Sequence, residues 1–241
     1  MSLFLLVVLM VAMISGTTAS VAGFGIGSLL TPLLATRLGM TTAIAAVAIP
    51  HALATGVRCW RLRRHVDWST LRGFGLLSAA GALIGALLYT QFSNRALTLA
   101  LGALLIATGL GVLTGWNRRW RPNGFAASSF GFASGLFGGL AGNQGGLRSA
   151  AFLAFPLTPL GFVATSTATG LLVDAGRLPI YLWRGGTDLV PYAAVIVTAS
   201  VGVLAGTLLG ERLLLGLSAD TFRRVVSASV TLLGVWILIR L

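Results

Sequence analysis

The segment AGFGIG at residues 22–27 reappears in altered form as AGNQGG at residues 141–146. Each copy interrupts a long apolar stretch, and the sequences that follow the two copies share a register of apolar residues and glycines. Duplicated halves with interrupted apolar helices are typical of membrane transporters whose binding site lies between the repeats. We therefore divide the chain into a first membrane repeat, residues 1–117, and a second membrane repeat, residues 118–241.

The composition excludes an ordinary soluble domain. Of the 241 residues, 56% are apolar and only 9% are charged, which is far from the usage of soluble globular proteins. Several nearly uncharged stretches reach roughly twenty residues, enough for a helix to cross a hydrocarbon core of about 30 Å. Because the bilayer offers no water to backbone N–H and C=O groups, helices are the expected elements. The predicted fold class is an all-α polytopic membrane protein.

Each half is predicted to contain a glycine-rich broken or re-entrant helix followed by three transmembrane helices. If each broken segment crosses the membrane fully, the chain makes eight crossings and the repeats are parallel. If each is a re-entrant hairpin, the chain makes six crossings and the repeats are inverted. The sequence leaves both arrangements open. The predicted segments are 3–35, 41–57, 70–91 and 95–115 in the first half, and 124–155, 160–182, 188–210 and 219–240 in the second.

The arginine distribution predicts the orientation. The net charge of +12 comes from arginine alone, since the chain has no lysine. Most arginines fall in short connectors, where the positive-inside rule and anionic headgroups explain them, so nucleic-acid binding is not expected. The connectors 58–69 and 116–123 are predicted to be cytoplasmic loops of a multi-pass protein in the bacterial inner membrane. The single cysteine, Cys59, excludes an intramolecular disulfide.

The two glycine-rich breaks form the predicted substrate site. Glycines weaken a helix by roughly 1 kcal/mol each and leave backbone N–H groups open to a cavity. Half-helices that restart near Ser28 and Leu147 would point two N-termini, with unsatisfied N–H donors, at an oxyanion between them. The alternative is that the glycines only permit tight helix packing. The binding candidates at the breaks are Gly25, Gly27, Ser28, Asn143, Gln144, Gly145 and Gly146.

Arg148 is the sharpest candidate for holding the charge of a substrate. It follows the second break by two residues, at the start of a predicted half-helix where the macrodipole already contributes positive potential. Burying an unpaired guanidinium there is costly, so a negative group should offset it. We predict that the anionic head group of the substrate does so through paired hydrogen bonds. The alternative is an arginine that reaches out to the membrane interface.

Three further polar residues lie within predicted spans. Asp174 and Arg177 are three residues apart, hence on one helix face, and can pair. The pair is either purely structural, or Arg177 binds substrate while Asp174 tunes it or carries a proton. His51, beside Pro50, either titrates during coupling or has a packing role. We keep Arg177 as a substrate-binding candidate, and His51 and Asp174 as coupling candidates.

Glycine-rich motifs also connect the chain with a known family. GFGIG at residues 23–27 is followed by Pro32, and a glycine-rich run at residues 131–139 leads into residues 142–146. In these motifs, and in the placement of its loops, the chain resembles the sulfite exporter TauE/SafE family of membrane transporters over essentially its whole length. The resemblance implies transport of sulfite, organosulfonates or related small anions across the plasma membrane.

Other functions have less support in the sequence. The predicted spans contain no paired catalytic carboxylates, no metal-ligand spacing and no Ser/His/Asp set, so we expect no enzyme, no metal site and no cofactor. A cation or metal permease, which usually needs buried acids or unwound carbonyls, and a non-transporting membrane subunit stay as alternatives. No nucleotide-binding loop is present, which favours secondary transport. The expected partners are a small anionic substrate and the lipid bilayer; a coupling proton or sodium ion, and homo-oligomerisation, are left open.

Overall fold

The computed structural model describes most of the chain. Within these residues the secondary structure is helical with short connecting turns, and no strand occurs. The predicted helix at 95–115 falls largely outside this part of the chain, as do Asn143 and Gln144. The described residues are 3–88, 102–103, 105–107, 109–110, 113–114, 124–141, 145–185 and 187–239.

Nine helices, labelled α1 to α9 within the described residues, position the site. A 3₁₀ turn, Thr187–Tyr192, precedes α8. The helices before residue 100 are α1 Leu3–Ala22, α2 Ile26–Leu38, α3 Met40–Leu62 and α4 Trp68–Leu88. Those after residue 120 are α5 Gly124–Ala141, α6 Gly145–Phe152, α7 Pro159–Gly185, α8 Ala193–Leu215 and α9 Ala219–Ile239.

Several helices match the length and polarity of membrane spans. A helix needs about twenty predominantly apolar residues to cross a bilayer. In the described part of the chain, four candidates satisfy this requirement: Leu3–Ala22, Thr41–His65, Trp68–Leu88 and Leu189–Leu215. The chain is therefore a multi-pass helical membrane protein, as its composition predicts.

The chain reverses direction at the first glycine break. Gly23 and Gly25 have positive φ angles of 79° and 142°, a region that glycine enters without the penalty other residues meet. A Cβ at Gly25 would lie 3.1 Å from the Thr18 side chain, so the backbone has already turned back along α1. At the far end of α2, the guanidinium of Arg37 lies over the Phe4 ring, 5.1 Å from its centroid. Helix α2 thus returns beside α1.

Both half-helices start two residues earlier than the sequence predicts. Helix α2 begins at Ile26 rather than near Ser28, and α6 begins at Gly145 rather than near Leu147. In α2 the first helical hydrogen bond runs from the Leu29 N–H to the Gly25 carbonyl, at 3.0 Å. Gly25 is therefore the N-cap residue, and the helix begins at the next residue, Ile26.

The first arginine-rich connector is shorter than predicted. Helix α3 continues to Leu62, and α4 begins at Trp68, so the prediction that 58–69 forms a loop is wrong at both ends. Asp67 caps α4 by accepting a hydrogen bond from the Thr70 N–H at 2.7 Å, which satisfies a free donor of the first turn. The most consequential correction is Arg58, which lies inside α3 with a buried side chain.

Close glycine contacts join the N-terminal and C-terminal parts of the chain. The most extensive packing pairs α1 with α8 and α4 with α5, while α3 packs against α7. A methyl group on Gly206 would collide with the Met13 carbonyl, and one on Gly135 would collide with the Ser78 carbonyl. Small residues of this kind let helix backbones approach each other within a membrane. This packing brings α3, α6 and α7 to the first break, where the charged side chains meet.

Candidate functional site

A small cavity lies where the first break meets the start of α6. Its wall consists of residues 23–27, Gly145, and the side chains of His51, Arg58, Arg148 and Arg177, with Ala19 beside them. The space open to the centre of a water molecule is about 10 Å³, which is room for about one water-sized group. Residues of both glycine-rich breaks and three arginines therefore line the same small space.

Arg148 is held at two of its three nitrogens. The side chain is 1% exposed; Nε donates to Ser166 Oγ at 2.9 Å and Nη2 donates to the Gly23 carbonyl at 3.0 Å. Its Nη1 is buried and has no hydrogen-bond partner among the residues that the structure describes. The burial rules out the alternative in which Arg148 extends to the membrane interface.

Asp174 links His51 and Arg177. Its Oδ1 accepts hydrogen bonds from Arg177 Nε at 3.0 Å, with Nη2 at 2.9 Å. Its Oδ2 lies 2.6 Å from His51 Nδ1 and accepts from the Thr55 hydroxyl at 3.2 Å. Arg177 also donates to the Gly138 carbonyl at 3.0 Å. Asp174 and Arg177 pair on one helix face, as predicted. The Asp174 carboxylate contacts His51 and Arg177, and both of these side chains line the cavity.

Arg58 is the residue that sequence reasoning missed. It was predicted to belong to a cytoplasmic loop, yet its side chain is 1% exposed and lines the cavity. Nε donates to Thr167 Oγ1 at 2.8 Å and Nη1 to Ser20 Oγ at 3.2 Å. A signal was available: the register that aligns residues 22–27 with 141–146 also aligns Arg58 with Arg177.

The predicted break residues divide between the cavity and its surroundings. Gly25, Gly27 and Gly145 line the cavity, whereas Ser28 and Gly146 do not. Ser28 faces an apolar groove beside α9, and a Cβ at Gly146 would lie 2.7 Å from Leu233 in α9. Successive positions of a helix turn by about 100°, and Ser28 in α2 and Gly146 in α6 fall on sides that face α9 instead of the cavity.

The charge around the cavity is mostly positive. Arg58 and Arg148 have only neutral partners among the described side chains and carbonyls, and Arg177 pairs with Asp174. Nowhere in the described ranges do three or more His, Cys, Asp or Glu side chains cluster as metal ligands would. Closely spaced guanidinium groups are suited to carboxylate, sulfonate or phosphate-like ligands, because the guanidinium fork matches such oxygens.

These features define a class of protein: a multi-pass helical membrane protein with a buried cationic cavity. The family model for the sulfite exporter TauE/SafE matches residues 8–237, and the chain belongs to that family. Membership implies a membrane permease for sulfur-containing anions. The resemblance seen in the sequence is thereby confirmed. Comparison with curated proteins and with solved structures finds no match for the chain.

Proposed function

We propose that the chain is a secondary transporter that binds small sulfur-containing oxyanions, such as sulfite or the head group of an organosulfonate, in the cavity between the two breaks. One observation carries the proposal: Arg148 lines the cavity, and its Nη1 is buried without a hydrogen-bond partner in the described part of the chain. A buried charged donor left unsatisfied is strongly unfavourable. An oxyanion in the cavity would satisfy it.

Backbone donors at the start of α2 add to the proposed site. The first N–H bonded within this helix is that of Leu29, which donates to the Gly25 carbonyl. By helix geometry the N–H groups of Ile26 and Gly27 have no acceptor within α2. Both residues line the cavity, where the positive end of the helix dipole favours an anion. Asn143 and Gln144, on the other break, stay predicted contributors.

Coupling is assigned to His51 and Asp174. His51 lines the cavity and its Nδ1 lies 2.6 Å from Asp174 Oδ2, so a proton held on the ring is positioned between the substrate space and a buried carboxylate. Histidine exchanges protons in the physiological range more readily than any other side chain. This arrangement favours a proton over a sodium ion as the coupling species.

The proposed transporter consists of two inverted halves with re-entrant hairpins. Three observations support this arrangement. The reversal of α2 beside α1 is what a hairpin requires. The packing of α1 on α8 corresponds, in the repeat register, to that of α5 on α4. The same register pairs Thr55 with Asp174, which are in hydrogen-bond contact at 3.2 Å. In this proposed arrangement α1, although long enough to span the membrane by itself, forms a hairpin with α2, so that the chain makes six crossings and both termini lie outside.

Transport assays in proteoliposomes test the function. Vesicles containing the purified chain should take up or release radiolabelled sulfite, and sulfoacetate or sulfate should compete more strongly than chloride or zwitterionic taurine. An Arg148→Gln variant should lose most of this flux, whereas Arg64→Gln, which changes an exposed arginine of the connector, should behave as the unmodified protein. Sulfite flux equal to that of empty vesicles, with the protein correctly inserted, would overturn the proposal.

A further inference from the structure

Three buried guanidinium groups face one small cavity, and one carboxylate accompanies them. From this imbalance we infer that the site selects oxyanions with two negative charges over singly charged oxyanions of the same shape. The inference rests on the proposed function, because it concerns the same cavity. It goes further by specifying the charge of the substrate, which separates sulfite-like dianions from organosulfonates with a single negative charge.

The protein holds Arg58 and Arg148 in place with uncharged hydrogen-bond acceptors, which do not neutralise their positive charges. Arg58 donates to two hydroxyl groups, those of Thr167 and Ser20, at 2.8 and 3.2 Å. Arg148 donates to the Ser166 hydroxyl and the Gly23 carbonyl. None of these acceptors carries a charge. Since arginine stays protonated in proteins, two positive charges at the cavity lack a negative partner among the described residues.

The other ionisable groups nearby do not cancel this excess. Asp174 is already shared by Arg177 and His51. Glu211, near the end of α8, attracts Arg58, but its charge is offset by Arg61, with which it pairs at 2.6 Å. A proton on His51 would add positive charge, and the N-terminus of α2 contributes positive potential of its own. Each of these contributions leaves the excess at two or raises it.

The close approach of ligand and arginines makes this charge decisive. A sulfate or sulfite ion is larger than the single water-sized group for which the cavity has room, so the arginine side chains must move outward to admit it. The ion then contacts guanidinium groups at hydrogen-bond distance, where Coulomb interactions are strong even at the effective dielectric constant of buried protein sites. A singly charged oxyanion leaves one guanidinium uncompensated, whereas a dianion compensates both. The greater cost of removing water from a dianion reduces the advantage, and we expect at least about tenfold tighter binding of the dianion.

Sulfate and methanesulfonate are the probes that isolate charge. Both are tetrahedral, and a methyl group in one replaces a charged oxygen in the other. Dissociation constants measured by isothermal titration on the full chain in detergent, with sulfite as the reference ligand, should show sulfate binding at least about tenfold tighter than methanesulfonate. Arg58→Gln removes one positive charge and should shrink this ratio, whereas Arg64→Gln should leave it unchanged.

The outcomes distinguish this inference from the function on which it rests. Equal affinities, or a preference for methanesulfonate, would overturn the charge selection while leaving an oxyanion site intact. Absence of binding for sulfite, sulfate and methanesulfonate alike would overturn the proposed function itself. The comparison on the unmodified chain decides the matter even if Arg58→Gln fails to fold.

Discussion

Two hydrogen bonds hold the guanidinium of Arg148 in place, yet one of its nitrogens has no partner among the described residues. Ser166 and the Gly23 carbonyl orient its guanidinium from one side, and Gly170 lies against it, where a Cβ would approach Nη1 to 3.1 Å. A larger residue at position 170 would crowd the nitrogen that is proposed to bind substrate. Glycine at position 170 therefore leaves room beside this nitrogen, which is where the proposed ligand would bind.

Two replacements of Arg148 should distinguish the contribution of its charge to binding from that of its planar guanidinium group. Arg148→Lys keeps the charge but loses the planar fork, so we expect binding of sulfite to weaken by about tenfold. Arg148→Gln removes the charge as well, and binding should weaken by about a hundredfold or more. Titration of sulfite into each purified variant measures both effects. Unchanged affinity in a correctly inserted Arg148→Gln protein would show that the residue does not bind the anion.

His51 should control the pH dependence of transport. Because its ring lies between the cavity and Asp174, His51→Gln removes the titrating group and keeps a side chain that can donate a hydrogen bond. We expect the variant to bind sulfate with at most a severalfold loss, while uptake driven by a pH gradient falls to the rate seen without one. A proton-driven rate equal to that of the unmodified protein would exclude His51 from coupling.

Replacing Arg177 should affect both the stability of the protein, through its ion pair with Asp174, and the cavity that Arg177 lines. Arg177→Ala strands a buried carboxylate, and breaking a buried ion pair from one side costs about 3–5 kcal/mol. The paired change Arg177→Ala with Asp174→Asn removes that penalty. The single variant should therefore be thermally less stable in detergent than the double variant, while both lose sulfite flux. Retained flux in the double variant would limit this pair to a structural role.

At the scale of elements, glycine has two separate tasks in this fold. In the first break it supplies positive φ angles, and between helices it permits contact of backbones. Gly135→Ala tests the second task, because the added methyl group would collide with the Ser78 carbonyl. The midpoint of thermal unfolding should fall by several degrees in that variant.

Gly56→Ala is the matched control for this packing prediction. Gly56 lies within α3, where an added Cβ meets no atom within 4 Å. Since alanine favours a helix over glycine by roughly 1 kcal/mol, this variant should be as stable as the unmodified chain or more so. Destabilisation of equal size in both variants would mean that loss of glycine itself, and not the close helix contact, is responsible.

The limits of sequence reasoning are visible in α3. Apolar patterning located the break before α2 and placed most helices within a few residues of their observed bounds, because membrane spans are set by length and composition. The burial of Arg58 was not predicted, because the positive-inside rule assigns arginines near a predicted span end to loops. Its burial depends on Ser20 and Thr167, which are distant in sequence and meet it only after α1, α3 and α7 pack.

At the scale of the whole molecule, the proposed arrangement fixes the membrane sides of α3. Its C-terminal connector should be cytoplasmic and its N-terminal end external. On a Cys59→Ser background, a cysteine at exposed Arg64 should resist a membrane-impermeant maleimide in intact cells and react after permeabilisation. A cysteine at exposed Thr41 should react in intact cells. The reverse labelling pattern would invert the proposed orientation.

The closeness of three guanidinium groups has a mechanical consequence. Arg58, Arg148 and Arg177 belong to three different helices, α3, α6 and α7, so their mutual repulsion pushes those helices apart whenever no anion lies between them. A dianion bound at the proposed site would reverse the sign of this force and draw the helices together. We expect sulfate to slow amide hydrogen exchange across residues 23–27, and methanesulfonate to slow it less. Under the proposed function, the transported anion itself would hold α3, α6 and α7 together.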